Sequence, residues 1–228
     1  MKILITGGGS VEPIDNVRYI CNFSTGKTSS FLADFFADLA NVTLLISERS
    51  VLPENSKINI IKYKTFNDLK NLLEAECKKG YDVILHAAAV SDYSPEKIIV
   101  DSKEYSVNDF NKIPSGSELT IKMKRNPKLL DSIKKWSDKK SFVFGFKLTS
   151  NASKEERVLA VKKIFASPSD FSFSPDAVIS NDLSEIKNNL HPCVIYSKNM
   201  QILAEVNDLT HLAQKIFQII QNQVEKCF

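Results

Sequence analysis

Short apolar runs alternating with helix-length segments restrict the fold more than any other feature of the chain. Ile3-Leu4-Ile5, Val42 to Ile46, Ile58 to Ile61 and Val83 to Leu85 are too short for buried helices and suit strands covered on both faces. Between them, Phe31, Leu32, Phe35, Phe36 and Leu39, and then Leu69, Leu72, Leu73 and Cys77, recur at helical spacing. Strand–helix alternation of this kind predicts βαβ units, and so an α/β, Rossmann-like, mostly parallel sheet with helices on both faces. Such sheets bind ligands outside the carboxyl ends of their strands. The loops Gly7 to Ser10 and Ala87 to Asp92 are therefore expected to share one crevice.

The spacing predicts a first helix over Lys27 to Ala40 and a second, capped by Asn67, running to Lys79. Residues 93–117 carry Pro95, Pro114, many charges and no sustained period, and are expected to form a mobile active-site loop. Glu118 to Met123 alternates like a strand with one wet face. Pro127 can open a helix ending at Trp136. Phe142 to Phe146 reads as a fifth strand, and Ser153 with Glu156 as the capping box of a helix to Phe165. Ala177 to Ser180 reads as a sixth strand, residues 193–206 as a hairpin, and Asp208 onward as a last helix. No internal repeat interrupts this plan, and residues 1–228 are read as one domain.

A net charge of +3 with dispersed Lys and Arg argues against a nucleic-acid partner. Cys21, Cys77, Cys193 and Cys227 form no Cys-x-x-Cys pair and no zinc spacing with His86, His191 or His211, so reduced thiols are expected. No apolar stretch reaches the ~20 residues of a membrane span. A cytoplasmic protein without a membrane partner is the expectation.

One stretch carries chemistry. An apolar run ends at Asn22, and Ser24-Thr25-Gly26 leads into the first helix. Hydroxyls, a glycine and unpaired first-turn N–H groups make an anion seat. A dinucleotide fingerprint fits poorly, because Glu12 stands at the third glycine position. A P-loop ending at Gly26-Lys27-Thr28 would need its first glycine at Cys21. Tyr93 and Lys97 have the spacing of a short-chain NAD(P)-dependent reductase, with Glu48 as a ribose ligand, but Pro95 opposes the required helix. That reductase and a nucleotide-sensing regulator are the alternative functions.

The residues Ile5 to Ile20, then Asn22 and Ser24-Thr25-Gly26-Lys27, resemble the opening of the phosphopantothenate–cysteine ligases of coenzyme A biosynthesis. The likeness continues in Ala87 to Tyr93, Lys112-Ile113, Glu118 to Met123, Asn126-Pro127, Gly145-Phe146 and Ser180-Asn181-Asp182. It implies that 4′-phosphopantothenate attacks the α-phosphate of CTP, with ATP as the alternative nucleotide and Mg²⁺ carried by the triphosphate. Pyrophosphate leaves, and the amine of L-cysteine then attacks the acyl-nucleotidylate. Many family members are fused behind a flavin enzyme. Here the free-standing form is expected, with no flavin.

By the same resemblance, Lys112 is the catalytic lysine on a closing loop, with Lys97, Lys103 and Lys122 as rivals. Asn22 stabilises the reacting carbonyl. Gly9, Ser24, Thr25 and Gly26 hold phosphopantothenate, and Arg18 supports that phosphate or a dimer interface. Ala88, Asp92, Asn126, Phe146 and Lys162 hold the nucleotide. Asn181 reaches phosphopantothenate from a neighbouring subunit of a homodimer whose interface includes the hairpin. Gly7, His86 and Lys147 to Ser150 depart from the family pattern.

Overall fold

The apolar runs pair as expected, in a computed structural model that describes residues 1–107, 109, 111–138, 140–187 and 190–224. Cys227 lies outside the described residues. The chain begins with β1 (Lys2–Gly7) and a small hairpin, β2 (Val11–Pro13) and β3 (Tyr19–Cys21). Then come α1 (Lys27–Ala37), β4 (Asn41–Ser47), β5 (Asn59–Tyr63), α2 (Phe66–Cys77) and β6 (Val83–His86). A separate antiparallel sheet holds β7 (Tyr93–Val100), β8 (Lys103–Ser106) and β9 (Leu119–Arg125). The main sheet resumes through α3 (Leu130–Trp136), β10 (Phe142–Thr149), α4 (Lys154–Phe165) and β11 (Ala177–Asp182). The hairpin β12 (Cys193–Ser197) and β13 (Ile202–Val206) and the helix α5 (Leu209–Val224) follow.

The eight-stranded sheet has the order β13-β12-β11-β10-β6-β1-β4-β5. The six strands from β5 to β11 are parallel, and β12 and β13 extend the β11 edge antiparallel. Strand order reverses between β1 and β6, which is where a doubly wound sheet opens its crevice. Alternate residues feed two cores. Ile3, Ile5, Leu44, Leu85, Phe144 and Ile179 pack with α1 and α5. Leu4, Leu45, Ile84 and Val143 pack with α2 and α3. Val161 and Phe165 of α4 cover Val178 and Tyr196.

Two boundaries differ from expectation for local reasons. The second helix is capped by Thr65, not Asn67: the Thr65 hydroxyl accepts from Asp68 N and the Asp68 carboxylate accepts from Thr65 N. The stretch expected as a loop over 93–117 is in large part β7 and β8. Pro95 sits at a register shift on β7, where the two-residue period breaks, so the alternation is hard to read from sequence. Asp101 and Ser102 both have positive φ and make the tight turn between β7 and β8. Ile98 and Val100 bury one face of this sheet against Ile14 and Ile113.

Among the described residues no helix is long and apolar enough to cross a membrane. At the end of β1, Gly7 is small because α1 lies against it: a Cβ there would fall 1.7 Å from Ser29 Oγ.

Candidate active site at the sheet crevice

The detour between β1 and α1 is a hairpin, and that shape positions Asn22. Val11 pairs with Cys21, so the chain doubles back and lays the Asn22 carbonyl over Gly9. A Cβ on Gly9 would meet that oxygen at 2.8 Å. Asn22 Nδ2 then donates to Ala89 O at 3.3 Å and Val90 O at 3.1 Å in the loop after β6. That loop is itself joined to the glycine turn through Ala89 N to Gly8 O at 2.8 Å. One amide thus ties the two loops at the topological switch.

Ser24, Thr25 and Gly26 follow. Gly26 adopts φ 72° at the start of α1, whose first turn has neither an acidic residue nor a side-chain cap. Its first-turn N–H groups therefore face outward at the positive end of the helix dipole. Gly26 is required by crowding as well as by φ, since a Cβ would lie 2.6 Å from Ser50 Cβ.

Glu12, misplaced for any dinucleotide fingerprint, is buried and structural. Its carboxylate accepts from Phe66 N at 3.0 Å, Ser10 Oγ at 3.2 Å and Ser94 Oγ at 2.7 Å. It thereby roots the hairpin to the start of α2 and to β7. Asn126 belongs to the same network, not to the crevice wall: Nδ2 donates to Ser91 O at 3.0 Å and meets Ser94 Oγ at 2.8 Å. The structure therefore does not bring Asn126 to the crevice with the other residues expected there. This side chain holds the 91–94 loop while its neighbours Arg125, Pro127 and Lys128 face the cavity.

That cavity is a crevice of about 1000 Å³ at the carboxyl ends of β6 and β10. Asn22, Ala88, Asp92 and Phe146 all line it, as the sequence led us to expect. Lys162 does not. The α4 face turned to the crevice carries Glu156, Leu159, Ala160 and Lys163, three or four residues apart, so Lys163 is the helix lysine at this wall. Sequence reasoning also missed Lys128, which pairs with Asp92 at 2.5 Å, and Asp131. Helical phase relative to Leu159 was the signal available for Lys163; nothing local marked the other two.

His86 lies on the crevice floor, Nδ1 2.9 Å from Thr6 Oγ1. Burial pushes its pKa down to about 4, so it is neutral at physiological pH.

Arg18 is fastened to the backbone of Ile113, next to Lys112. Arg18 Nε lies 3.3 Å from Asp15 Oδ2, and Nη2 donates to Ile113 O at 2.5 Å. Asp15 accepts from Ile113 N at 2.9 Å, from Val17 N and from Arg18 N. The Ile113 N–H is the main reason its carboxyl is held below the usual range. Asn16 Nδ2 donates to Asn111 Oδ1 at 3.0 Å. Lys112 is therefore an exposed side chain between Ile113, held through its backbone, and Asn111, held through its side chain.

At the end of β11, Asn181 Nδ2 is 3.2 Å from His191 Nε2 in the same chain. Burial, and then the charge of Lys27, lower the His191 pKa. Next to Asn181, the buried Asp182 accepts from Thr149 Oγ1, Asn151 N, Ala152 N, Ser184 N and Ser184 Oγ. It fixes the loops after β10 and β11. The Ser184 hydroxyl is the largest reason its carboxyl is held far below the ordinary range. A depressed folded pKa contributes stability that is present above the unfolded value near ~4 and is lost as pH falls through the folded one. The gap in melting temperature between the native protein and Asp182→Asn should therefore be widest at neutral pH and shrink under acid. A gap unchanged from pH 7 to pH 3 would contradict this.

Comparison with known proteins agrees with the geometry. Residues 1–224 match the family described as DNA/pantothenate metabolism flavoprotein C-terminal domain. The coenzyme A biosynthesis bifunctional protein CoaBC of Methanocaldococcus jannaschii is 32% identical over 186 residues, 81% of this chain and 41% of the relative. The CoaBC of Thermococcus kodakarensis is 28% identical over 224 residues, 98% of this chain and 51% of the relative. The chain thus spans about half or less of the length of these relatives. The crystal structure of the DNA/pantothenate metabolism flavoprotein from Streptococcus pneumoniae superposes with a TM-score of 0.85 at 27% identity, covering 98% of this chain and 99% of that one. With its full-length match, its switch-point crevice and its Asn22 bridge, the chain belongs to the DNA/pantothenate metabolism flavoprotein C-terminal domain family.

Proposed function

We propose that this chain is a ligase of coenzyme A biosynthesis, joining 4′-phosphopantothenate to L-cysteine through an acyl-nucleotidylate. The observation that carries the reading is the Asn22 amide. It spans from the anion turn before α1 to the loop after β6, so phosphopantothenate and a nucleotide bound on either side would meet beside it.

In the first step the carboxylate is already anionic, so the protein needs cationic groups rather than a strong base. Lys112 on its fastened segment, with Lys128 and Lys163 at the crevice, supplies them. The phosphopantothenate phosphate sits at Ser24, Thr25 and Gly26 over Gly9, and the nucleotide at Ala88, Asp92 and Phe146. In the second step the cysteine amine attacks the acyl carbon, the Asn22 amide gives up one of its carbonyl partners in the loop after β6 to donate to the oxygen that becomes negative, and the nucleoside monophosphate and a proton leave. Arg18 acts through the Asp15–Ile113 clasp, and Asn181 with His191 closes the phosphopantothenate side.

The described residues gather no cluster of three metal-binding side chains, and Asp92 is engaged by Lys128. Mg²⁺ is proposed to enter with the triphosphate, and no step is routed through a protein-held ion. We propose a homodimer. Support comes from exposed Val17, Tyr19, Ile20 and Phe23 on and beside the β2–β3 hairpin, and Ile202 and Leu203 on the edge strand β13.

The reductase alternative loses its footing. Tyr93 and Lys97 lie on strand β7, not on one helix face, and Lys97 pairs with Glu104.

The test is a panel of nucleoside triphosphates with phosphopantothenate and cysteine. Pyrophosphate and the amide product are expected with CTP or ATP. Tight nucleotide binding without turnover would favour the regulator instead. For Asn22→Asp, the acyl-nucleotidylate should accumulate, because a carboxylate repels the developing oxyanion. Amide formation at the native rate would remove Asn22 from the second step.

A further inference from the structure

Resting on the ligase reading above, we propose that Asp131 reads the nucleobase, accepting a hydrogen bond from the exocyclic amino group of cytosine or adenine and excluding bases with a carbonyl oxygen there. The groove between α3 and α4 has the shape for a planar ring. His86 lies at its floor, beside Gly145 in the β6–β10 register. Gly145 lets Leu130 of α3 pack down onto β10, since a Cβ there would lie 2.8 Å from Leu130 Cδ2. Leu130, Leu159, Ala160 and Ile164 supply apolar walls.

The groove is electrically polarised. Exposed Arg125, Lys128 and Lys163 stand around its opening. Glu156 is engaged in the α4 capping box, and Asp92 is paired with Lys128. Half-buried Asp131 lies on the inner wall. A triphosphate entering with its phosphates outward keeps them on the cations and turns the base toward the carboxylate; the reverse orientation would set phosphate against Asp131. Ser167 Oγ donates to Asp131 Oδ2 at 2.5 Å and fixes the carboxylate. Among the described residues Oδ1 has no hydrogen-bond partner. Burial pushes this carboxyl above its ordinary range, with the Ser167 bond and the charge of Lys128 opposing, and an N–H donor from the ligand would pair the oxygen that Ser167 leaves open. The amino group of cytosine or adenine meets this need. The matching oxygen of uracil or hypoxanthine sets acceptor against acceptor.

Two matched pairs isolate the contact: CTP against UTP, and ATP against ITP. Calorimetric binding to the full chain should favour the amino member of the better-bound pair by about 10–100-fold. Asp131→Asn, whose amide can turn to donate or accept, should bring that ratio to within about threefold. Asp131→Ala serves the same purpose if the amide variant does not fold. Ser167→Ala keeps the carboxylate and should keep the preference. An unchanged ratio in folded Asp131→Asn, or equal binding of both members by the native protein, would overturn the assignment. Base preference without turnover would remove the ligase reading and leave Asp131 in place. Turnover with an Asp131-independent ratio would do the reverse.

Discussion

Lys112→Gln should lower nucleotidylation by about 10²–10³-fold, the loss expected when one preorganised group facing developing charge is removed. The fold should not notice. The Lys112 side chain is exposed, and its segment is held by others: Ile113 is buried against Ile14, Ile98 and Val100, with its N–H on Asp15 and its carbonyl on Arg18. The variant should melt with the native protein while pyrophosphate release collapses in single-turnover assays. The same anchoring distinguishes Lys112 from its rivals. Lys97 is paired with Glu104, and Lys103 and Lys122 lie on strands β8 and β9. Near-native pyrophosphate release would transfer the role to Lys128, Lys147 or Lys163, the lysines lining the crevice wall.

The second large effect is on stability, far from the chemistry. Lys134 is buried in α3, its Nζ 2.5 Å from Asp176 Oδ2 and 2.9 Å from Ser141 O. The same Asp176 oxygen accepts from Val143 N at 2.7 Å. Asp176→Ala leaves a buried ammonium without its counter-charge and a strand N–H without its acceptor. The expected cost is about 3 kcal/mol, or a melting temperature roughly 6–12 °C lower for a chain of this size. Adding Lys134→Met to that background should restore part of the loss, because an apolar side chain of similar length needs no counter-charge. A shift of under about 2 °C in the single variant would show the pair to be solvated.

The parallel sheet was legible because its strands are continuous apolar runs, and a run such as Asn41 to Ser47 admits no other reading. The capping box at Ser153 and Glu156 was legible because its two residues are three apart. The small sheet was not: β7 is wet on one side, carries a proline, and shifts register, so its period disappears from the sequence. For the site, the resemblance brought Asn22, Ala88, Asp92 and Phe146 to one crevice, since each lies at the end of a strand or on the turn beside one. Asn126 and Lys162 were harder. Whether an asparagine after a strand faces a cavity or a buried serine depends on partners such as Ser91 and Ser94, more than thirty residues away in sequence. Whether Lys162 or Lys163 faces the crevice depends on the phase of α4, which Leu159 shares with Lys163 and which packing on β10 and β11 fixes.

The measurement closest to the centre of this account follows oxygen. With phosphopantothenate carrying ¹⁸O in its carboxylate, attack on the α-phosphorus and later cleavage of the acyl C–O bond must leave one labelled oxygen in the nucleoside monophosphate. The account predicts that label in CMP or AMP, in step with amide formation. Label in inorganic phosphate, or amide formed with no labelled nucleotide, would contradict it.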